Sequence, residues 1–338
     1  MAALLRRTSS PASLDDAAAP TAQHGAAGTP SPTARAQWLS LAEPCQGLRW
    51  RLQRWRSLLP TLVCPHRLHA QRCGHYASRT QPGPLQRGRF ADLFDLRSGT
   101  QAVGYPFLYA QGVIDLLQAR VLADLGVNAR HLRLLRHRTR LLGADPARLG
   151  QALQDVDCRL ARVVRVGPTE VAALLQTGIA DEDGTLIAQI EDLFVVRELP
   201  VAYAVQADED DLLRRAVSRM RRHAREIDAA APGVRQRQLL VTTADGRRFA
   251  ALAGGPLRLP RWPREGARWW RLRAPALAPM YLRHLVAREL AEWGLDLGSL
   301  QMTFIGRVAA GQTLQLLQQG RAFELLDAQG RLLACGRI

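Results

Sequence analysis

Asp115 sits in the middle of a long apolar run, QGVIDLLQARVLADLG, and a carboxylate in that setting is the first candidate for chemistry. Burial disfavours the charged form, raises the pKa and suits the group to act as acid or base near neutral pH. The plain alternative turns Asp115 toward Arg120 or solvent. His284 is the second catalytic candidate; Glu289, five residues on, shares its helix face only loosely, and a single helix histidine is ordinarily a packed or surface residue. Tyr105 and Tyr109 flank the approach to the apolar run, where their hydroxyls could hold a substrate oxygen or simply pack. Arg258 could clamp a phosphate or carboxylate with its planar fork of donors. Trp269, with Trp262 and Trp270, lines a pocket or packs a domain seam. Asp115 and His284 are therefore the expected catalytic residues, and Tyr105, Tyr109, Arg258 and Trp269 the expected binding residues.

A denser group lies upstream in CPHRLHAQRCGHY, where Cys64, His66, His69, Cys73 and His75 hold three of the chain's eight histidines. Two thiolates and two imidazoles would suit tetrahedral zinc. The spacing C-x-H-x2-H-x3-C-x-H, however, is not a pair of ligand dipeptides flanking a finger. We read a basic loop with incidental Cys and His, and expect neither metal nor cofactor. Cys45, Cys158 and Cys335 are scattered singly, so no disulfide framework is expected. No G-x-S-x-G, phosphate-loop or dinucleotide fingerprint is present.

The elements that must position these residues follow from periodicity. Val113, Leu116, Leu117, Val121, Leu122 and Leu125 keep the i, i+3, i+4 spacing of a helix with a broad buried face. Pro106 suits the approach to that helix and Gly126 its stop. A basic stretch runs on to Leu142, and three strand-like segments follow: DCRLARVVRV, EVAALLQTGI and TLIAQIEDLFVV. The same order returns at the C-terminus. Ala278 to Trp293 is helical by spacing, Gly294 closes it, and LQMTFIGRV, QTLQLLQQ, RAFELLDA and RLLACGRI follow as strands. A helix-then-strands unit used twice is the central structural expectation.

Between the units, residues 208–225 read as an exposed helix, acidic in its first turn and arginine-rich later, as the helix dipole favours. Leu239 to Thr242 is strand-like and Asp245 to Leu252 a short helix. Upstream, Ala36 to Ser57 reads as a helix packed on the body, and Arg79 to Gly104 as a connection with a short FADLFDL insert.

The 338 residues can hold two domains, or one duplicated domain, plus a tail. With 47% apolar residues the chain is globular. Its net charge of +16 rests entirely on arginine, with no lysine anywhere. Arginine is spread over most segments and aromatics are only 6%, which argues against a nucleic-acid surface and fits an acidic partner. No apolar run reaches the roughly 20 residues of a membrane span, and the start lacks the apolar core of a secretory signal. A cytoplasmic protein is expected.

Several stretches together resemble the double-hotdog proteins of the MaoC-like hydratase/dehydratase group, which act on acyl thioesters. Tyr105-Pro106 before the apolar helix resembles the family's Thr-Tyr-Pro lead-in, and IAQIEDLFVVRELP its final strand of the first hotdog. In the second half GRRFAALAGGPLRL, FIGRVAAGQTLQLL and DAQGRLLACGRI resemble the approach to the hydratase motif, a strand-turn-strand and the closing hairpin. The resemblance runs from Gly104 to Ile338 and is strongest toward the C-terminus. It implies an α+β double hotdog, two helix-wrapped antiparallel sheets in one chain, with a disordered N-terminal tail. The implied organisation is a tail over 1–36, a basic extension over 37–100, a first hotdog over 101–205, a linker helix over 206–235 and a second hotdog over 236–338.

The resemblance also implies an acyl carrier protein or acyl-CoA as partner, a lyase-type activity in fatty-acid or polyketide-type biosynthesis, and assembly as a homodimer or hotdog heteromer. Active members carry an Asp and, a few residues on, a His in an Asn-Pro-Ile-His type motif. Here the corresponding stretch is Ala253-Gly254-Gly255-Pro256-Leu257-Arg258-Leu259. Arg258 stands where the His should be, and the Asp is absent. A guanidinium, with its pKa above about 12, cannot serve as a base near neutral pH. Two expectations remain: an enzyme with a rewired site for dehydration, isomerisation, cyclisation or thioester hydrolysis, or a non-catalytic hotdog partner.

Overall fold

A computed structural model describes residues 36–41, most of 52–69, and 73–96, 110–142, 153–205, 207–253, 278–309 and 311–338. The expected disordered tail, together with Tyr105, Tyr109, Arg258 and Trp269, lies outside the described residues.

The central helix of the first unit, α2 (Gln111–Asp124), is apolar almost all round; Val113, Ile114, Leu116, Leu117, Val121 and Leu122 are all buried. A helix of that kind belongs inside a core rather than on a surface. Its counterpart α5 (Pro279–Glu292) has the same length and buries Leu282, Leu285, Val286 and Leu290. Each is stopped by a glycine in the left-handed region two residues beyond its end, Gly126 at φ 77° and Gly294 at φ 75°.

Each unit repeats one order of elements. The first runs β2 (Tyr76–Thr80), α1 (Pro84–Phe94), α2, then β3 (Leu132–Leu141), β4 (Gln154–Gly167), β5 (Glu170–Ala180) and β6 (Leu186–Val196). The second runs β7 (Arg235–Val241), α4 (Thr243–Ala253), α5, then β8 (Ser299–Phe304), β9 (Gln312–Gln319), β10 (Ala322–Leu326) and β11 (Leu332–Arg337). Between them lies α3 (Asp211–Arg221), whose Val217 packs on the sheet's outer face against Leu135, Leu193 and Val195. A two-residue strand, β1 (Gln37–Trp38), pairs in parallel with β2.

All strands join one sheet in the order β1-β2-β4-β5-β6-β3-β8-β11-β10-β9-β7. The second half is the mirror order of the first, and the strand after each central helix, β3 or β8, meets the other at the middle. They pair antiparallel from Arg136↔Thr303 to Arg140↔Ser299, so a pseudo-twofold axis passes through this seam. The sheet wraps both helices, with one core around α2 and another around α5.

Three expectations change. The basic stretch before Leu142, expected only to lead into the strands, is itself β3, the strand that joins the two units. Residues 79–104 contain a helix, α1, because Phe90 and Phe94 fall on one face; both are fully buried in the second unit's core against Phe249 and Tyr281. Gln37–Trp38, expected as helix, is held as strand by hydrogen bonds to His75 and Ala77. The first unit's sheet thus reaches upstream of residue 101. No helix among the described residues is long and apolar enough to cross a membrane.

The Cys/His segment serves as a strap across the end of α2. Arg67 N donates to Gly126 O (3.0 Å), His69 N to Leu125 O (2.9 Å), and His66 bonds Arg197 O (2.8 Å). A Cβ on Gly126 would lie 2.0 Å from Arg67 O, whereas one on Gly294 would meet open space. Gly294→Ala should therefore cost only about 1 kcal/mol, the strain of the left-handed backbone. Gly126→Ala should cost about 2 kcal/mol more, because the strap must also lift. Urea unfolding of the two variants checks this; equal losses would mean that the strap is not seated on Gly126.

Candidate functional site

Strand alternation at the seam turns His137 and Thr139 toward the helices, and both are almost fully buried. Directly across the β3–β6 pairing His137 faces Asp192, an acid set in the apolar strand LIAQIEDLFVV. The imidazole Nδ1 lies 2.6 Å from Asp192 Oδ1, and Gln118 of α2 donates to the other carboxylate oxygen at 2.5 Å. The pair of bonds leaves Asp192 fully oriented at 3% exposure. With a carboxylate as partner, Nδ1 is the nitrogen that carries a proton. Nε2 is buried and has no hydrogen-bond partner among the described residues.

A second cluster lies beside it. Gln111, Asp115 and Gln118 form one polar stripe on α2 at i, i+4 and i+7. Gln111 Nε2 donates to Asp115 Oδ1 at 2.6 Å, which turns its carbonyl oxygen toward His284 Nε2, 3.3 Å away. His284 Nδ1 accepts from Arg283 at 3.1 Å, and Arg283 also donates to Thr139 Oγ1 at 3.1 Å. The His284 ring packs between Phe94 and Phe249. Gln111 thus bridges the two central helices and joins the two residues singled out from sequence. Asp115 is only partly buried, and Arg120 stands over the Tyr76 ring instead of beside it.

Burial, and then the neighbouring Arg283 and His137, hold the His284 pKa well below the usual histidine value. His284 is therefore neutral, with both nitrogens engaged. The four described cysteines are free thiols. Burial pushes Cys73, Cys158 and Cys335 up to about 12 and also raises Cys64, so none of them is a thiolate near neutral pH. Among the described residues no three His, Cys, Asp or Glu side chains converge as a metal site. His75 instead bonds Asp157 at 2.8 Å, and the Cys64 and Cys73 thiols reach backbone carbonyls of Gly126 and Val121.

His137, Asp192, Gln111, Gln118 and Arg283 were not singled out from sequence. A signal for three of them was present, since two amides in step with Asp115 along an apolar helix, and an acid inside an apolar strand, are polar groups that burial must satisfy.

Two helix-wrapped antiparallel sheets joined edge to edge in one chain define a double hotdog. The solved structures to which the fold is similar include a MaoC-like dehydratase from Phytophthora capsici, with a TM-score of 0.54, 12% identity, 80% of this chain and 96% of that one covered. A putative MaoC domain protein dehydratase from Chloroflexus aurantiacus matches with a TM-score of 0.51 at 8% identity, covering 81% of this chain and 96% of that one. The peroxisomal multifunctional enzyme type 2 from Drosophila melanogaster matches with a TM-score of 0.50 at 14% identity, over 78% of this chain and 48% of that one. At these identities the likeness is one of fold. No family model and no curated protein matches the sequence.

The buried neutral His284 links folding to pH. Above about pH 6.5 folded and unfolded chains both hold it neutral; below, only the unfolded chain takes up the proton, and stability falls. Between about pH 7.5 and 5.5 the wild type should lose about 1.4 kcal/mol more unfolding free energy than His284→Gln. Urea titrations at both pH values test this, and parallel losses would show that His284 is not held neutral.

Proposed function

We propose that the protein binds an acyl chain carried as a thioester, on coenzyme A or acyl carrier protein, and acts on it at the inner face of the seam with His137 as base. The observation that carries this reading is the His137–Asp192–Gln118 chain: a buried imidazole oriented by a carboxylate, with Nε2 unbonded, between the central helices of a double hotdog. The similarity in fold to MaoC-like dehydratases supports the substrate class.

The chemistry runs through His137 alone. Nε2 takes the proton α to the thioester carbonyl of a 3-hydroxyacyl chain, and Asp192 stabilises the imidazolium that forms. The imidazolium returns that proton to the departing 3-hydroxyl, so water leaves and an enoyl thioester remains. Such a route needs neither the usual Asp/His pair nor Arg258, which cannot accept a proton. Activity of this kind would make the protein a lyase of fatty-acid or polyketide-type biosynthesis, and Asp115 and His284 would act by holding Gln111 and the α2–α5 contact in place.

A second reading, a non-catalytic acyl-binding partner of an active hotdog subunit, draws on a different observation. Asp115 and His284 are both tied to Gln111, and His284 has no free nitrogen.

Incubation with 3-hydroxyacyl and enoyl thioesters, followed by mass analysis of products, separates the two. The enzyme reading expects turnover that falls about 100-fold or more in His137→Gln and Asp192→Asn, with ligand affinity changed only a few-fold. Binding without turnover in the wild type supports the partner reading. Absence of binding at high micromolar ligand overturns both.

A further inference from the structure

On the outer face of the seam, the alternation that buries His137 turns Arg136, Arg138 and Arg140 the other way. Arg337 of β11, Arg321 in the β9–β10 turn and Arg219 of α3 join them around a groove of about 660 Å³. The β8 floor opposite is uncharged: Ser299, Gln301 and Thr303. Among the described residues six guanidinium groups thus face two side-chain carboxylates, Glu226 and Glu324, with His223 at the rim.

Those acids do not neutralise the groove. One Glu324 oxygen accepts from the backbone N–H of Glu226 (2.6 Å) and Ile227 (3.3 Å), and Arg225, which does not line the groove, approaches its carboxylate to 3.9 Å. Glu226 is exposed and lies 3.9 Å from His223. Arg138 has a loose ion pair with Glu191 at 3.9 Å, and Arg321 Nε donates to Ile338 O at 2.6 Å.

Arg136 is different. It is 9% exposed, has no ion pair within 4 Å among the described residues, and its Nε is buried without a hydrogen-bond partner. Glu191 and Asp192 act on it only from a distance, and a buried cation without a direct ion pair is costly, by several kcal/mol after relaxation. Burial holds its pKa below the usual arginine value, yet a guanidinium stays charged near neutral pH. The groove therefore presents a largely desolvated cation, flanked by more cations of the same strand, whose Nε an anion from outside would satisfy.

We propose that this groove binds a small ligand carrying two or more phosphate groups, on the face of the sheet opposite the thioester seam. Guanidinium groups match phosphate oxygens two at a time, which favours phosphate over a simple carboxylate. The volume is that of a small-molecule pocket, which commonly spans about 300–1,000 Å³. A nucleic-acid strand would want aromatic platforms for its bases; among the described lining residues the only aromatic ring besides His223 is Phe323, which is 1% exposed. The proposal does not depend on the thioester reading, because the two sites lie on opposite faces of the sheet.

Calorimetry of the full chain with inorganic tripolyphosphate at low salt tests it. Wild type should bind, and Arg136→Met and Arg140→Glu should each weaken binding about tenfold or more, with a loss of similar size in high salt. Arg140 is exposed, so its variant should fold as wild type, which circular dichroism checks. Arg221→Gln, whose side chain pairs with Glu170 away from the groove, should bind as wild type. No binding by the wild type, or undiminished binding by both groove variants, overturns the proposal. So does a single-stranded oligonucleotide or polyglutamate that binds about tenfold more tightly than tripolyphosphate.

Discussion

The β3–β8 pairing is the constraint on which the rest of the molecule depends. It makes one sheet out of two units, and its register decides which side chains face the helices. A slip of one residue would send Arg136, Arg138 and Arg140 into the cores and expel His137 and Thr139. The register is held beyond the ladder itself. Arg133 donates to the carbonyls of Phe304 and Ile305 at one end, Thr139 Oγ1 to Leu300 O (3.3 Å) near the other, and Leu141 N to Gly298 O (2.7 Å) beyond it. The inner polar network and the outer basic groove are two consequences of that single alignment.

Burying polar groups at such a seam is expensive unless each finds a partner, and an orphaned one costs about 1–3 kcal/mol or more. Asp192, Gln118, Gln111, His284, Thr139 and the two terminal nitrogens of Arg283 meet that condition through one another, drawing on α2, β3, β6 and α5. The network therefore fixes how the two helices stand with respect to the sheet. His137 Nε2 departs from the pattern, and an unsatisfied buried atom beside such a network is where a ligand gains by binding.

The duplicated order of elements was legible because helix and strand periods are strong and because Gly126 and Gly294 punctuate both helices at the same place. β3 was not, since LRLLRHRTRL alternates arginines with a mixture of leucine, histidine and threonine and so lacks an apolar face. Its inner positions are filled by polar residues whose partners come from elsewhere in the chain, and a single strand's sequence carries no trace of them. The same holds for α1: it reads as a connection, and nothing in its sequence says that its two phenylalanines would pack in the other unit's core. Asp115 and His284 were legible as unusual residues; their link through Gln111 depends on how two helices 168 positions apart approach each other, which only the fold supplies.

Covalent duplication explains why the two sides of the axis are chemically unlike. Counted back from the glycine that ends each helix, Asp115 of α2 and Arg283 of α5 occupy equivalent positions, as do Leu116 and His284. A symmetric pair of identical hotdogs would place the same residue at both, acid across from acid or cation across from cation. Fusion removes that restriction, and here the first helix brings an acid and two amides to the seam while the second brings a cation and a neutral imidazole. The complementary sets make the halves specific for each other and, among the described residues, leave only the first unit with a histidine oriented by a buried carboxylate. Any ligand at the seam would therefore meet an asymmetric site, with the imidazole of His137 on β3 and the guanidinium of Arg283 on α5.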